Sequence, residues 1–187
     1  MYDSTLKKLA QTLNRAGIPY MIMGGLAVLR YGNPRMTSDI DVTIGVNTNE
    51  LDNIWTVMKK GGFLSRIENL DEFVQKTMIL PLIEPINKIP IDMIFSFSSF
   101  ERDAIERGVN QEIGKQSIRF ICPEDLIIQK IIAGRGRDLD DVQSILNIQR
   151  KLDLQSIEKH LVEFGNLLDK DYLSILKNIL TQLKKNT

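Results

Sequence analysis

The sequence of 187 residues is poor in the side chains from which many sites are built. Its single cysteine, Cys122, argues against a disulfide framework and a cysteine-based zinc site. Its single histidine, His160, argues against a histidine-clustered metal site and a Ser-His-Asp triad. No apolar run approaches the roughly 20 residues of a membrane span, and the first residues lack the features of a signal peptide. We therefore expect a cytoplasmic protein without a membrane partner.

The sequence also lacks a net charge, because its 24 basic and 24 acidic side chains cancel. That balance argues against a generally basic nucleic-acid-binding protein. The charges are unevenly spread, since residues 1–35 carry five basic and one acidic side chain, whereas residues 39–141 carry 12 basic and 18 acidic ones. An acidic segment without histidine or cysteine ligands is typical of a solvated surface or of a site for a hard cation.

The hydrophobic pattern predicts strands mixed with helices up to about residue 121 and helices afterwards. The predicted strands cover residues 20–23, 38–46, 78–83, 89–97 and 117–121. The predicted helices cover residues 4–16, 26–31, 49–60, 99–107 and 123–133, and further helix follows from residue 139. We expect a core over residues 1–121, with residues 122–187 as a helical region packed on it.

Two carboxylates stand two residues apart on a predicted strand. Asp39 and Asp41 share one face of that strand because successive side chains alternate, and Ile40 and Val42 face a core on the other side. Two neighbouring carboxylates repel each other unless a cation neutralises them, and Mg²⁺ takes oxygen ligands. The alternative is a pair of aspartates on an exposed strand face, although aspartate is disfavoured in strands.

A third aspartate, Asp92, interrupts the apolar run of residues 89–95. An unpaired carboxylate in such a run is costly. If this strand lies beside the strand of Asp39 and Asp41, three carboxylates converge on one metal site. The alternative is an aspartate on an exposed edge strand, which Pro90 favours.

Gly24 and Gly25 separate a predicted strand from a predicted helix. Glycine lets backbone N–H groups approach a phosphate, and a helix N-terminus attracts anions. A tight turn explains the pair equally well when it is taken alone. The downstream Asp-x-Asp makes the phosphate-binding interpretation more specific.

Together these residues resemble the signature of the polymerase-β-type nucleotidyltransferase superfamily, which is a glycine pair, a spacer, Asp-x-Asp and a later third aspartate. The matching residues are Gly24, Gly25, Arg35, Thr37, Ser38, Asp39, Asp41 and Asp92. The resemblance covers roughly residues 5–145. It implies an α/β (α+β) fold in which a nucleotidyltransferase-type mixed sheet is flanked by helices and followed by a helical C-terminal region.

A second block of residues resembles the small AbiEii-type toxin nucleotidyltransferases. Its residues are Pro123, Glu124, Asp125, Leu126, Lys130, Ala133, Gly134, Arg135, Arg137, Asp138 and Asp141. In that family the lysine contacts nucleotide phosphates and the later acid supports the active site, which implies these roles for Lys130 and Asp141. From the residues alone, Lys130 could equally extend from the edge of an apolar helix face. Asp138 could equally cap a helix beginning near residue 139, with Asp141 as its capping-box partner.

The resemblance implies an enzyme of the EC 2.7.7 type that moves an NMP from an NTP, ATP among them, to a hydroxyl with one or two Mg²⁺ ions. It implies Asp39, Asp41 and Asp92 as metal ligands and, with Lys130, as catalytic residues. It implies nucleotide binding by Gly24, Gly25, Arg35, Thr37, Ser38 and Asp141. The AbiEii-type likeness further implies a tRNA or other RNA acceptor and an antitoxin protein as partner. Aminoglycoside and lincosamide nucleotidyltransferases have a similar block and imply a small-drug acceptor instead, and a catalytically idle nucleotide-binding or regulatory module is a third interpretation.

Overall fold

The computed structural model describes residues 2–185 of the chain. These residues form two compact units. The first contains the chain up to Leu26 together with Met36–Ile121, and the second contains Ala27–Arg35 together with the chain from Cys122 onward. As a division into domains, the boundary expected after residue 121 stays a prediction.

Within the described residues, the first unit is built on seven strands and the helices that flank them. The strands are β1 (Tyr20–Met23), β2 (Ile40–Ile44), β3 (Leu64–Ser65), β4 (Ile79–Glu84), β5 (Ile89–Phe95), β6 (Val109–Ile113) and β7 (Gln116–Phe120). They form one sheet in the order β3-β4-β5-β2-β1-β7-β6. β2 pairs with β5 and β1 with β7 in parallel, whereas the other neighbours are antiparallel. The expected mixed α/β fold is therefore confirmed.

The helices follow the apolar spacing of the sequence. They are α1 (Tyr2–Arg15), α2 (Gly24–Tyr31), α3 (Leu51–Lys60), α4 (Leu70–Thr77), α5 (Ser99–Arg107), α6 (Pro123–Ala133), α7 (Gly136–Ile148), α8 (Leu154–Leu168) and α9 (Tyr172–Lys185), with a 3₁₀ turn at Thr48–Glu50. In α1, Leu9 and Leu13 are fully buried where the helix packs on β7 and α3. Each buried leucine contributes roughly 1.5–3 kcal/mol to the free energy of folding.

Local signals at the ends of α5 and α6 explain why both helices have the bounds expected from the sequence. Ser98 and Glu101 form a capping box at the start of α5, so that the side chain of each accepts a backbone N–H. Pro123 occupies the first turn of α6, where a missing N–H costs nothing. Gly134 ends α6 in the left-handed conformation, at φ +65°.

The second unit is a compact assembly of helices that pack against one another. Helix α6 packs against α7, α8 and α9, and α7 and α8 also pack against α9. The fully buried apolar residues of α6 to α9 are Ile127, Ile128, Ile131, Val142, Ile145, Ile157, Leu161 and Leu176. The segment Ala27–Arg35 belongs to the same unit, and Gln149 Nε2 donates to Tyr31 O at 2.9 Å. Within residues 2–185, every helix is too short or too polar to span a bilayer.

Several expectations for individual elements are corrected by the structure. α7 begins at Gly136 with Arg135 as its N-cap, so the interpretation of Asp138 as a helix cap is wrong. β5 lies between β4 and β2, so the edge-strand alternative for Asp92 is also wrong. Pro90 is accommodated because it lies one residue before the stretch that pairs with β2. The short elements β3, α4 and β6 are not predicted by the pattern.

Candidate active site

Three carboxylates converge where β2 and β5 run side by side. The parallel register pairs Asp41 with Asp92, and Asp39 immediately precedes β2 on the face of Asp41. One carboxylate oxygen from each of the three lies within 4.8 Å of the others, and all three residues are half-buried. Ile40 and Val42 alternate with them and are fully buried. The sheet therefore gathers acids that are far apart in the sequence on one face.

Position 24 requires a glycine because it lies against the side chain of one of these acids. β1 pairs Met23 with Asp41, which brings the next residue, Gly24, against the Asp41 side chain. A Cβ at Gly24 would overlap the Asp41 carboxylate and would lie 2.5 Å from its Cγ. The residue also has φ +59°, a conformation that L side chains rarely adopt. Helix α2 begins at this glycine, whereas the sequence pattern places its start at residue 26.

The predicted residues that lead into the acids hold Asp39. Thr37 Oγ1 donates to Asp39 Oδ1 at 3.1 Å. Thr37 is itself tied to α1, because the Tyr2 hydroxyl donates to Thr37 O at 2.8 Å. Ser38, between them, is exposed. The structure thus brings Gly24 against Asp41 and Thr37 against Asp39, and Gly25 and Ser38 are their neighbours in the chain.

Arg66 is a residue of this site that sequence reasoning missed. Its guanidinium forms an ion pair with the Asp92 carboxylate. Arg66 stands one residue beyond the paired Ser65 and Leu82, and its backbone N–H donates to Pro81 O at 3.0 Å. No motif surrounds this arginine, so only the register of the edge strand β3 could reveal it.

The remaining predicted residues form an ion-pair network in the second unit. Lys130 Nζ lies 2.9 Å from Asp138 Oδ1 and 2.7 Å from Asp141 Oδ2. Arg35 donates to both oxygens of Asp141, from Nε at 2.7 Å and from Nη2 at 2.9 Å. Arg135 Nε pairs with Asp138 at 2.5 Å. Three cations and two anions thus alternate, and Lys130, Asp138 and Asp141 are buried.

The network favours the charged form of the Asp138 carboxylate. Burial alone would raise the pKa of Asp138, but hydrogen bonds and charge from Arg135 and Lys130 outweigh it and lower that pKa below its ordinary 3.8. Lys130 does not merely extend from the edge of an apolar face, because its ammonium ends 2.7 Å from a buried carboxylate. Sequence reasoning missed Asp138 as the partner of this lysine, since eight residues separate them across a helix break.

A family model matches the chain over residues 2–180, and its description is nucleotidyl transferase of unknown function (DUF2204). The chain belongs to this nucleotidyl transferase family. No curated protein matches it. The expected superfamily is thereby confirmed, whereas the narrower AbiEii-type likeness stays a prediction.

Several solved structures have a fold similar to that of this chain. An antigenic nucleotidyltransferase-like protein from Paracoccidioides brasiliensis is similar with a TM-score of 0.57 and 22% identity, over 94% of this chain and 91% of that one. ANT(2″)-Ia in complex with adenylyl-2″-tobramycin has a TM-score of 0.56 and 16% identity, over 84% of this chain and 92% of that one. At these identities the likeness shows the fold. The carboxylate cluster of this nucleotidyl transferase therefore sits on a fold that it shares with other nucleotidyltransferases.

Proposed function

We propose that the protein is a Mg²⁺-dependent nucleotidyltransferase of the EC 2.7.7 type, which transfers an NMP from an NTP to a hydroxyl and releases pyrophosphate. The observation that carries this proposal is the convergence of Asp39, Asp41 and Asp92, with oxygens within 4.8 Å of one another. Family membership supports it. The reducing cytoplasm is the compartment that we propose for this reaction, and ATP is the first NTP to test.

The residues suit one or two Mg²⁺ ions. All the donors in the cluster are carboxylate oxygens, which a hard cation prefers over nitrogen and sulfur. Gly24 leaves the space that the Asp41 carboxylate fills, so the donor is held close to the backbone. When bound, Mg²⁺ would stabilise charge on the attacking and leaving oxygens of an in-line displacement.

The side chains and backbone of the first unit have distinct roles in this proposal. Asp39, Asp41 and Asp92 would hold the cation, and Asp92 would also help to take the proton of the acceptor hydroxyl. Gly24 and Gly25 offer backbone N–H groups to the phosphates, because the first N–H groups of α2 have no acceptor within the helix. Thr37 holds the Asp39 carboxylate in place through its hydroxyl.

The roles of the second-unit residues stay predictions from the resemblance. Arg35 and Lys130 are proposed to neutralise charge on the phosphates, with Asp141 as their support. The network gives this proposal a physical basis, since Asp141 accepts from two nitrogens of Arg35 and fixes the plane of its guanidinium. Ser38 is proposed to bind the nucleotide, because its side chain is exposed and it precedes Asp39 in the chain.

For the acceptor, we propose a hydroxyl of RNA, such as a tRNA 3′ end, and an antitoxin protein as the partner that restrains the activity. The AbiEii-type likeness supports this proposal, as do the basic residues of the first 35 positions. The alternative acceptor is a small antibiotic. A catalytically idle regulatory module is the third candidate, and the presence of all three acids argues against it.

The test incubates the purified protein with each α-³²P-labelled NTP, Mg²⁺, and either total RNA or a panel of aminoglycosides and lincosamides. Labelled RNA supports the proposal, a labelled drug supports the alternative, and no product with any acceptor favours the idle module. Asp39→Asn and Asp41→Asn are expected to abolish labelling. Asp52→Asn, an exposed aspartate of α3, is the matched control and is expected to keep it. Transfer that survives both site variants would refute the assignment.

A further inference from the structure

The carboxylate cluster contains a counter-ion supplied by the chain itself. Arg66 pairs with Asp92, which the cation site proposed above requires as a ligand. The two side chains are each about one-third exposed, at 34% and 31%, so solvent reaches the pair. A guanidinium and a divalent cation both seek the carboxylate oxygens of Asp92, and their charges repel each other.

The register of the sheet makes this contact a consequence of the fold. Asp41 pairs with Asp92 across β2 and β5, and Asp92 pairs with Pro81 across β5 and β4. The backbone N–H of Arg66 in turn donates a hydrogen bond to the carbonyl oxygen of Pro81. Residues opposite each other on paired strands project to the same face, so Arg66 ends the row that begins at Asp41. Proline at position 81 adds no long side chain between the arginine and Asp92.

The row of paired residues from Asp41 to Arg66 also indicates on which side of the reacting phosphorus Arg66 would lie. The glycine pair follows β1, on the far side of Asp41, whereas Arg66 lies beyond Asp92 on the opposite flank. In an in-line displacement the leaving and attacking oxygens lie on opposite sides of the phosphorus. With the leaving phosphates at Gly24 and Gly25, the acceptor approaches from the flank of Arg66.

We propose that Arg66 is an acceptor-side residue whose guanidinium pairs with Asp92 and is released when a divalent cation binds to the three carboxylates. The released guanidinium then binds a phosphate of the acceptor. This inference rests on the proposed function and deepens it, because it orders binding as cation first and acceptor second. It also names a phosphate group beside the reacting hydroxyl, which an RNA or a mononucleotide can supply.

The first experiment measures Mn²⁺ binding by electron paramagnetic resonance for the wild type, Arg66→Gln and the control Arg102→Gln. Arg102 is an exposed arginine of α5, so its replacement changes the net charge equally. Removal of the competing guanidinium is expected to tighten Mn²⁺ binding about two- to fivefold, the range for a partly exposed ion pair. The control is expected to match the wild type. A merely structural role for Arg66, as an anchor of Asp92, predicts weaker binding instead.

The outcomes separate the inference from the proposed function. If the wild type shows no Mn²⁺ binding that Asp41→Asn abolishes, both the cation site and the role of Arg66 are wrong. If the wild type binds Mn²⁺ and Arg66→Gln leaves the affinity unchanged or weakens it, only the inference about Arg66 is wrong.

The second experiment measures binding of a short single-stranded RNA, of AMP and of adenosine, with saturating Mn²⁺ and a non-hydrolysable ATP analogue. Arg66→Gln is expected to weaken RNA binding about three- to tenfold and to reduce the slope of log affinity against log salt by about 0.7, the value for one phosphate contact. Equal loss with AMP would identify a single phosphate as sufficient, and adenosine is expected to be unaffected. Equal binding of both phosphate-bearing probes by the wild type and the variant would overturn the acceptor-side role, as would no binding of either probe.

Discussion

Replacement of Gly24 by alanine tests how the sheet holds Asp41. The new Cβ meets two separate obstacles, which are the left-handed backbone at φ +59° and the Asp41 carboxylate, whose Cγ would lie 2.5 Å away. The first obstacle costs about 1–2 kcal/mol in the free energy of unfolding. The second forces Asp41 to leave its position, because the neighbouring atom belongs to the carboxylate that the sheet register places there. Loss of one of three oxygen donors is expected to weaken Mn²⁺ binding at least tenfold, which is about 1.4 kcal/mol.

Gly17 supplies the matched control. It has a similar left-handed φ of +66°, but nothing lies within 4 Å of a Cβ built there. Gly17→Ala should therefore show the backbone penalty alone, which corresponds to a fall in melting temperature of about 2–8 °C for a chain of this size. Gly24→Ala should lose more stability than Gly17→Ala, and only Gly24→Ala should lose affinity for Mn²⁺.

Thermal unfolding and Mn²⁺ titration of both variants decide the question. Equal destabilisation of the two, with Mn²⁺ affinity unchanged in Gly24→Ala, would refute the close approach of Asp41 to Gly24. Loss of Mn²⁺ affinity in Gly17→Ala as well would show that the effect comes from general destabilisation. A wild-type protein that binds no Mn²⁺ would leave stability as the readout, and the expected order of the two variants would still be tested.

Three further predictions concern the second unit. Lys130→Met should lower the free energy of unfolding in urea by about 3 kcal/mol, because it removes the buried cation shared by Asp138 and Asp141 and leaves each with its arginine partner. Lys76→Met, which breaks an exposed pair, should cost at most about 0.5 kcal/mol. The lowered pKa of Asp138 means that its contribution is complete above its ordinary 3.8 and is lost as the pH falls through the folded-state pKa. Urea titrations at a series of acidic pH values should show a shallower loss of stability for Asp138→Asn than for the wild type, and parallel curves would contradict this. Burial and the charge of Asp125 raise the pKa of the Cys122 thiol to about 12, so a thiol reagent at pH 8 should react slowly with native protein and quickly in urea.

The sequence predicts the elements that have strong local signals. α5 and α6 have the expected bounds because a capping box, a first-turn proline and a left-handed glycine mark their ends. The strands β4 and β5 also lie where the apolar runs place them, and the structure pairs them antiparallel. The elements β3 and β6 carry no such signal, since their side chains are mostly exposed or half-buried at the two edges of the sheet.

In the candidate site, too, local patterns predict only the features that lie within one segment of the chain. The two-residue spacing of Asp39 and Asp41 predicts their common face, whereas the place of Asp92 beside them depends on which strands pair. The roles of Arg66 and Asp138 depend on contacts across an edge strand and across a helix break. These contacts are set by tertiary register, and no local pattern in one sequence encodes them.

The parallel pairing of β2 with β5 also bears on when the carboxylate cluster can exist during folding. Asp41 and Asp92 lie 51 residues apart in the chain and meet only through this pairing. Closing so long a loop lowers the chain entropy before any strand contact stabilises the pair, and parallel pairing is slow for that reason. During synthesis, a nascent chain that ends before β5 lacks the third carboxylate altogether. A cation that requires all three therefore recognises the folded sheet alone, and it stabilises that fold by an amount that grows with the ratio of the cation concentration to its Kd.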